Sequence, residues 1–409
     1  MQRTLIRSAL CLTVTALLAS CAATPRTASD GSGANSGAGN LTLTTANQNG
    51  NQPGQMPAPS VAGAASTGVA AAPFADAAAP SRPPVDGEFV NFGQWREAGT
   101  FINRMVAEHG FDRTQLEKTM ANVRYVDTAI QLMKPAPPGK PKNWQAYRAR
   151  FIEPVRIKGG VAFWNQYAES LARAEAQYGV PAEIIVAILG VETIYGRNTG
   201  NFRTMDALTT LAFAYPETPT RQARMMYFRG ELENVLLLSR DANIDPFSLI
   251  GSYAGAVGLP QFMPGSIRKF AVDYDGDGKI DLRNSPVDAI GSIANFLVRH
   301  GWQPGGPLVF PARVAGNAGA GWEMFIGQPL QAKFTLAEMR ANGVTPQASV
   351  PEALRLGLVD LQNGGAPTEY WLAANNFYAI TEYNRSFFYA MSVIDLGRTI
   401  RQARQAAAR

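Results

Sequence analysis
The chain has 409 residues, 46% of them hydrophobic and 17% charged, with a formal net charge of +5. Its two cysteines, Cys11 and Cys21, sit at the N-terminus and its two histidines are His109 and His300. This excludes a disulfide, a thiol nucleophile or a cysteine metal site in the folded part, excludes a histidine-rich zinc centre, and leaves a Ser-His-Asp triad only two candidate bases. Without Arg3 and Arg7 the charge falls from +5 to +3, too little to indicate nucleic acid, which is not expected as a partner.

Residues 1–20 read as a secretory signal, with Arg3 and Arg7 ahead of a short apolar run, Ala9 to Leu18. A run of that length cannot cross about 30 Å of hydrocarbon as a helix. Leu18-Ala19-Ser20-Cys21 resembles a bacterial lipobox; the rival reading is an ordinary signal beside an incidental cysteine. Lipidation of Cys21 would tether the chain to a membrane face outside the cytoplasm. Ala22 follows in place of Asp, so the expected location is the cell envelope, as an outer-membrane lipoprotein facing the periplasm. Residues 21–86 form a linker poor in charge, with Phe74 as the one aromatic between Ala22 and Pro84, and cannot bury a core. A flexible chain of this length spans roughly 45 Å end to end. It serves as a leash, or it is a tail of no selected length.

Residues 87–409 form the folded region. Helical spacing is predicted over Trp95 to His109 and Thr114 to Met120, with a break at Pro135-Ala-Pro-Pro-Gly-Lys-Pro. One helix is predicted over Gly160 to Tyr178, another opened by Pro181 at its first position, and others over Arg221 to Arg240, Ser285 to His300 and Ser386 to Ala406. Glycines, prolines and short apolar runs from Gln303 to Asn384 predict strands and turns. The fold class is therefore α+β, mainly helical, with a small β-rich insertion.

Glu192 is the most informative residue. It ends the apolar or small run Ile184 to Val191, with Ile188 and Leu189 one turn behind and Tyr195 ahead. Desolvation there raises a carboxyl pKa and keeps a proton available near neutrality, as a general acid requires. The alternative is a structural glutamate paired with a cation such as Arg197.

The segment Ile188-Leu-Gly-Val-Glu-Thr-Ile-Tyr-Gly resembles the catalytic segment of the membrane-bound lytic murein transglycosylase B family. Four further stretches match in family order: Phe163-Trp-Asn-Gln-Tyr; Gly251-Ser-Tyr-Ala-Gly-Ala-Val-Gly-Leu-Pro-Gln-Phe-Met-Pro; Asp273 to Ser292; and Glu369-Tyr-Trp-Leu with Asn376-Phe-Tyr-Ala-Ile-Thr-Glu-Tyr-Asn. The similarity covers residues 92–401. It implies a lysozyme-like core with an accessory helical lobe and a small β-rich lobe, acting on peptidoglycan glycan strands, with cell-wall synthesis complexes as further partners. It also implies cleavage of the bond between N-acetylmuramic acid and N-acetylglucosamine by Glu192 as acid and then base, leaving a 1,6-anhydro end. No motif supplies the second carboxylate that most glycosidases need, and an internal 6-hydroxyl nucleophile needs none. No cofactor is required for this chemistry.

The resemblance further implies that Ser252 and Gln261 contact substrate, that Tyr383 and Asn384 hydrogen-bond near Glu192, and that Tyr389 shapes the cleft. Each tyrosine could instead be a core or rim aromatic. Arg224 matches a basic family position suited to peptide or lactyl carboxylates, and Ala223 stands where the family pattern has a second arginine.

Asp273, Asp275, Asp277, the Lys279 carbonyl and Asp281 stand at the first, third, fifth, seventh and ninth positions of an EF-hand-like loop, with Asn284 at the twelfth. The resemblance places the closing carboxylate at Asp288, so a structural Ca2+ is expected; the alternative is an Asp-Gly turn without metal. Two competing functions stand beside transglycosylation: a muramidase ending in hydrolysis, and a non-enzymatic wall-binding lipoprotein.

Overall fold
The computed structural model describes residues 95–135, 141–316, 321–327, 330–407 and 409. The signal, Cys21, the linker and most of the Pro135–Pro141 break lie outside the described residues. In chain order the helices are α1 (Arg96–His109), α2 (Arg113–Ala121), α3 (Asp127–Met133), α4 (Trp144–Arg148), α5 (Pro154–Gln166), α6 (Ala168–Tyr178), α7 (Ala182–Thr193), α8 (Thr204–Ala214), α9 (Arg221–Asp241), α10 (Pro264–Phe270), α11 (Pro286–Arg299), α12 (Leu336–Ala341), α13 (Asn375–Thr381) and α14 (Phe387–Ala407). The strands are β1 (Phe202–Arg203), β2 (Ile250–Gly251), β3 (Val309–Val314), β4 (Phe334–Thr335), β5 (Val344–Pro346), β6 (Arg355–Asn363) and β7 (Ala366–Ala373).

Three hydrophobic clusters organise these elements. The central one is built on α7, which buries every residue from Ile184 to Thr193, with α5, α6, α11, α13 and α14 around it. A helix apolar on all sides cannot lie on a surface, so it is the element the others wrap. α14 crosses it closely at Gly397, where a Cβ would lie 2.8 Å from the Glu183 carbonyl oxygen. A second cluster joins α1, α2 and α3 to α8 and α9. The third fills one side of an antiparallel sheet of order β4-β6-β7-β3-β5, closed by α12. Among the described residues no single helix is long and apolar enough to cross a membrane.

Three predicted elements differ. The helix predicted over Gly160 to Tyr178 is two, α5 and α6, because Tyr167 leaves helical geometry (φ −111°, ψ 29°) and folds its ring against Phe163, centroids 4.7 Å apart. Pro181 is the N-cap of α7, with extended backbone, rather than its first helical residue. The region predicted as strands and turns also contains α12 and α13. Buried Asn376 sets α13 in place by donating to the carbonyls of Gln303 (2.8 Å) and Gly306 (2.9 Å) and accepting from Gln303 N–H (2.7 Å). Those partners are about 70 residues away, beyond any local pattern.

Candidate active site
Glu192 lies in the last turn of α7 and is 9% exposed. Its Oε1 accepts a hydrogen bond from the Tyr389 hydroxyl at 2.6 Å, delivered by the first turn of α14. Burial pushes the carboxyl up from 4.5 to about 7, against the opposing pull of the Tyr389 hydrogen bond. Arg197 is exposed, and among the described residues no cation pairs with Glu192. A carboxyl that holds its proton at neutral pH in a dry site can donate it.

The surroundings are phenolic. The Tyr383 ring stacks on Tyr389 (6.4 Å, 13°), and its hydroxyl donates to the Pro260 carbonyl at 2.5 Å. Both phenols are held well above their ordinary value, first by burial and then by the Glu192 charge. Tyr147, from the one-turn helix α4, is pushed up to about 12, again by burial and then by Glu192. It therefore lies within electrostatic reach of the acid. Among the described residues, no second carboxylate acts on Glu192, Tyr383 or Tyr389.

Thr193 ties the acid's helix to the facing wall. Its hydroxyl donates to the Leu259 carbonyl (3.0 Å) and accepts from Gly196 N–H (3.0 Å). The wall is a compact turn over residues 251–262, in which Ser252 N–H donates to Ala256 O (2.8 Å) and Val257 exchanges bonds with Phe262 (2.8 and 3.1 Å). The Ser252 hydroxyl accepts from Ala256 N–H at 3.1 Å, which leaves its own hydrogen to be donated. Gln261 adopts φ 51°, and its amide donates to the carbonyls of Thr199 (3.2 Å) and Gly258 (2.9 Å). Those bonds orient the side chain and leave its oxygen as an acceptor.

Of the residues singled out by sequence, the fold gathers Glu192, Tyr389 and Tyr383, with Ser252 and Gln261 on the wall tied to α7. The hydrogen bond to Glu192 comes from Tyr389 rather than from Tyr383 or Asn384. Asn384 follows Tyr383, and its backbone carbonyl accepts from Ser386 N–H (2.7 Å). Arg224 lies on α9, its guanidinium carbon 5.8, 5.7 and 5.4 Å from the ring centroids of Tyr215, Tyr227 and Phe228. Tyr147 and Thr193 were not singled out. Tyr147 stands in a five-residue helix with no periodic pattern to mark it, whereas Thr193 could have been suspected as the neighbour of Glu192.

In the aspartate-rich loop, Asp273, Asp275 and Asp288 bring carboxylate oxygens within 4.8 Å of one another. Asp277 and Asp281 lie outside that group and cap local turns, Asp277 accepting from Lys279 N–H (2.8 Å) and Asp281 from Arg283 N–H (3.0 Å) and Asn284 N–H (2.8 Å). Asp288 is fully buried in the first turn of α11. It accepts from the N–H groups of Tyr274 (2.7 Å), Asp275 (3.2 Å) and Asp281 (2.9 Å), folding the loop back onto α11. The end of the loop supports the wall, since Leu259 N–H donates to Leu282 O at 2.7 Å.

The raised carboxyl has a stability consequence. The folded state holds the Glu192 proton above the unfolded value of 4.5, so stability is full below that pH and falls as pH rises to about 7. A rise of that size withdraws about 3 kcal/mol above neutrality. Glu192→Gln, which keeps the acceptor for Tyr389, is expected to match the wild type at pH 4 and to be more stable at pH 8. Urea unfolding at the two pH values measures this; equal stabilities at pH 8 would return Glu192 to the ordinary carboxylate range.

A family model described as the Transglycosylase SLT domain matches residues 92–398. The chain is 42% identical over 322 residues to the membrane-bound lytic murein transglycosylase B of Escherichia coli strain K12, covering 77% of this chain and 85% of that protein. Soluble lytic transglycosylase SltB1 from Pseudomonas aeruginosa superposes with a TM-score of 0.67 at 44% identity, covering 76% of this chain and 99% of that one. The Escherichia coli lytic transglycosylase Slt35, in a structure with calcium, superposes with a TM-score of 0.66 at 41% identity, covering 78% and 96%. The chain thus belongs to the transglycosylase SLT family, the lytic transglycosylases that act on peptidoglycan.

Proposed function
We propose that the chain cleaves the β-1,4 bond between N-acetylmuramic acid and N-acetylglucosamine with Glu192 as its one acid–base group, leaving 1,6-anhydro ends. The observation that carries this is a buried carboxyl, hydrogen-bonded by Tyr389 and raised to about 7, on which no second carboxylate acts among the described residues. Protonated Glu192 donates to the leaving glycosidic oxygen. The substrate's own acetamido group relieves the positive charge that develops at the sugar carbon. Glu192, now a carboxylate, takes the proton of the muramic 6-hydroxyl as that oxygen attacks the same carbon. No water enters the balance, and the tethered nucleophile needs only to be held in place. The Tyr389 hydroxyl stabilises the carboxylate between the two proton transfers. Ser252 and Gln261 orient the sugar from the wall, Tyr383 and Asn384 border the cleft, and Arg224 meets carboxylates of the peptide stem.

Mass spectrometry of products from purified sacculi tests the reaction. Muropeptides one water lighter than the reducing forms are expected from the wild type, with at least about a hundredfold less product from Glu192→Gln. Reducing ends would instead assign a muramidase. Sugar binding without product would assign a wall-binding protein.

The aspartate-rich loop suits a structural Ca2+. Three carboxylates converge there, one of them fully buried, and oxygen donors at this spacing are what a hard cation takes. Asp273, Asp275 and Asp288 would hold it, with Asp277, the Lys279 carbonyl and Asp281 as further oxygens. The ion would neutralise the cluster and stiffen the loop behind the wall, and takes no part in the chemistry. Calcium is expected to raise the melting temperature by a few degrees at saturating concentration, and Asp288→Asn to remove that increment. Calorimetry with and without chelator measures it; identical melting would exclude the ion.

The N-terminal reading completes the proposal: residues 1–20 are removed, Cys21 is acylated, and residues 21–86 tether the catalytic region 87–409 to the outer membrane, facing the periplasm. Mass spectrometry of envelope-purified protein is expected to find an acylated N-terminal Cys21, and Cys21→Ser to leave the protein soluble. An unmodified Cys21 would remove the tether.

A further inference from the structure
The turn that carries Glu192 is held from behind by groups outside the chemistry above. α7 ends at Thr193, and Ile194 and Tyr195 follow at φ 51° and 58°. Left-handed backbone is rare for side-chain-bearing residues and costly for a β-branched one, so two in succession persist only where the surroundings impose them. Here they send the Tyr195 side chain back beneath α7. Its ring lies in a slot between two helices: a Cβ at Gly159, Gly160 or Gly190 would come within 2.9, 2.6 and 2.5 Å of Tyr195 atoms. The Tyr195 hydroxyl donates to the Arg156 carbonyl at 2.8 Å.

Arg156 completes the connection in the opposite direction. Its Nε donates to the Gly190 carbonyl at 3.0 Å. That carbonyl needs the bond, because the Ile194 N–H, its regular helical partner, turns to Leu189 O. The guanidinium is buried, 3% exposed, and is fixed by the Arg150 carbonyl (2.9 Å), Glu153 Oε1 (3.2 Å) and the Phe151 ring (5.3 Å). Among the described residues its Nη2 has no hydrogen-bond partner. A buried guanidinium with an unmet donor is costly to keep.

We propose that Arg156 and Tyr195 form a two-way latch that positions Glu192, Tyr195 donating to α5 and Arg156 to the last turn of α7, on either side of the turn that carries the carboxyl. Both are positioning residues, since neither hydrogen-bonds to Glu192. The latch clamps residues 190–195 to α5, so the Glu192 carboxyl meets the Tyr389 hydroxyl from a fixed turn. A small misplacement of an acid is enough to lower a rate. The inference rests on Glu192 as the general acid.

The test uses Tyr195→Phe, which keeps the ring in its slot and deletes one hydrogen bond, and Arg156→Lys, which keeps a cation and loses the planar fork. Rates on soluble glycan strands are measured across pH. In each variant kcat is expected to fall about fivefold or more with KM within about twofold of the wild type. The alkaline limb of the profile is expected to move to lower pH, because a loosened turn admits water and weakens the burial that raises Glu192. The groups facing Glu192 are Tyr147 from α4, Tyr383 ahead of α14 and Tyr389 on α14, all phenols held above their ordinary range; Glu153 and Arg156 face Tyr195. A purely structural role would lower the melting temperature and leave kcat and the limb unchanged, which would overturn the latch. If Arg156→Lys fails to fold, Tyr195→Phe decides alone. Glu192→Gln separates the two claims: an active Glu192→Gln removes the acid itself, whereas an inactive one beside unaffected latch variants overturns only the latch.

Discussion
The structure depends on keeping one carboxyl dry. Glu192 sits at the end of a helix buried on every side, and its single polar contact among the described residues is the Tyr389 hydroxyl. Desolvation then holds the proton to about pH 7. An exposed carboxyl would lose it near 4.5, and a carboxyl beside an arginine would lose it earlier still. The apolar shell therefore sets the protonation of the carboxyl as well as the stability. The close crossing at Gly397 serves the same end, because it lets α14 lie against α7 and deliver a hydroxyl to the site.

The remaining elements supply surfaces to that centre. The cluster of α1, α2, α3, α8 and α9 carries Arg224 and joins the wall through the short pairing of β1 with β2. The wall turns tightly enough that a Cβ at Gly258 would lie 2.3 Å from the Leu282 carbonyl, so the aspartate-rich loop and the wall act as one body. Asp288 joins the loop to α11, taking loop N–H groups while standing in the first turn of that helix. Thr193 then links the wall back to the acid's helix. This chain of contacts runs unbroken from the loop to the end of α7.

The sequence by itself determined which carboxyl leaves water, and the class of fold. An unbroken apolar run ending in one glutamate is legible without coordinates, because burial of the run forces burial of its last residue. Helix periods and the glycine- and proline-rich stretch after Gln303 separated the helical part from the sheet, and the spacing of Asp273, Asp275 and Asp277 marked the loop. What local patterns could not carry was decided by tertiary structure. Tyr167 split one predicted helix by packing on Phe163, and Asn376 held α13 through carbonyls about 70 residues away. Only the crossing of α7 and α14 selected Tyr389 over Tyr383 and Asn384 as the partner of Glu192, and only the fold brought Tyr147 and Arg156 to the turn that carries Glu192 from outside the motif. Hydrophobic pattern fixes which groups leave water; which of them then meet depends on helix crossings and loop closures that join residues far apart in the chain.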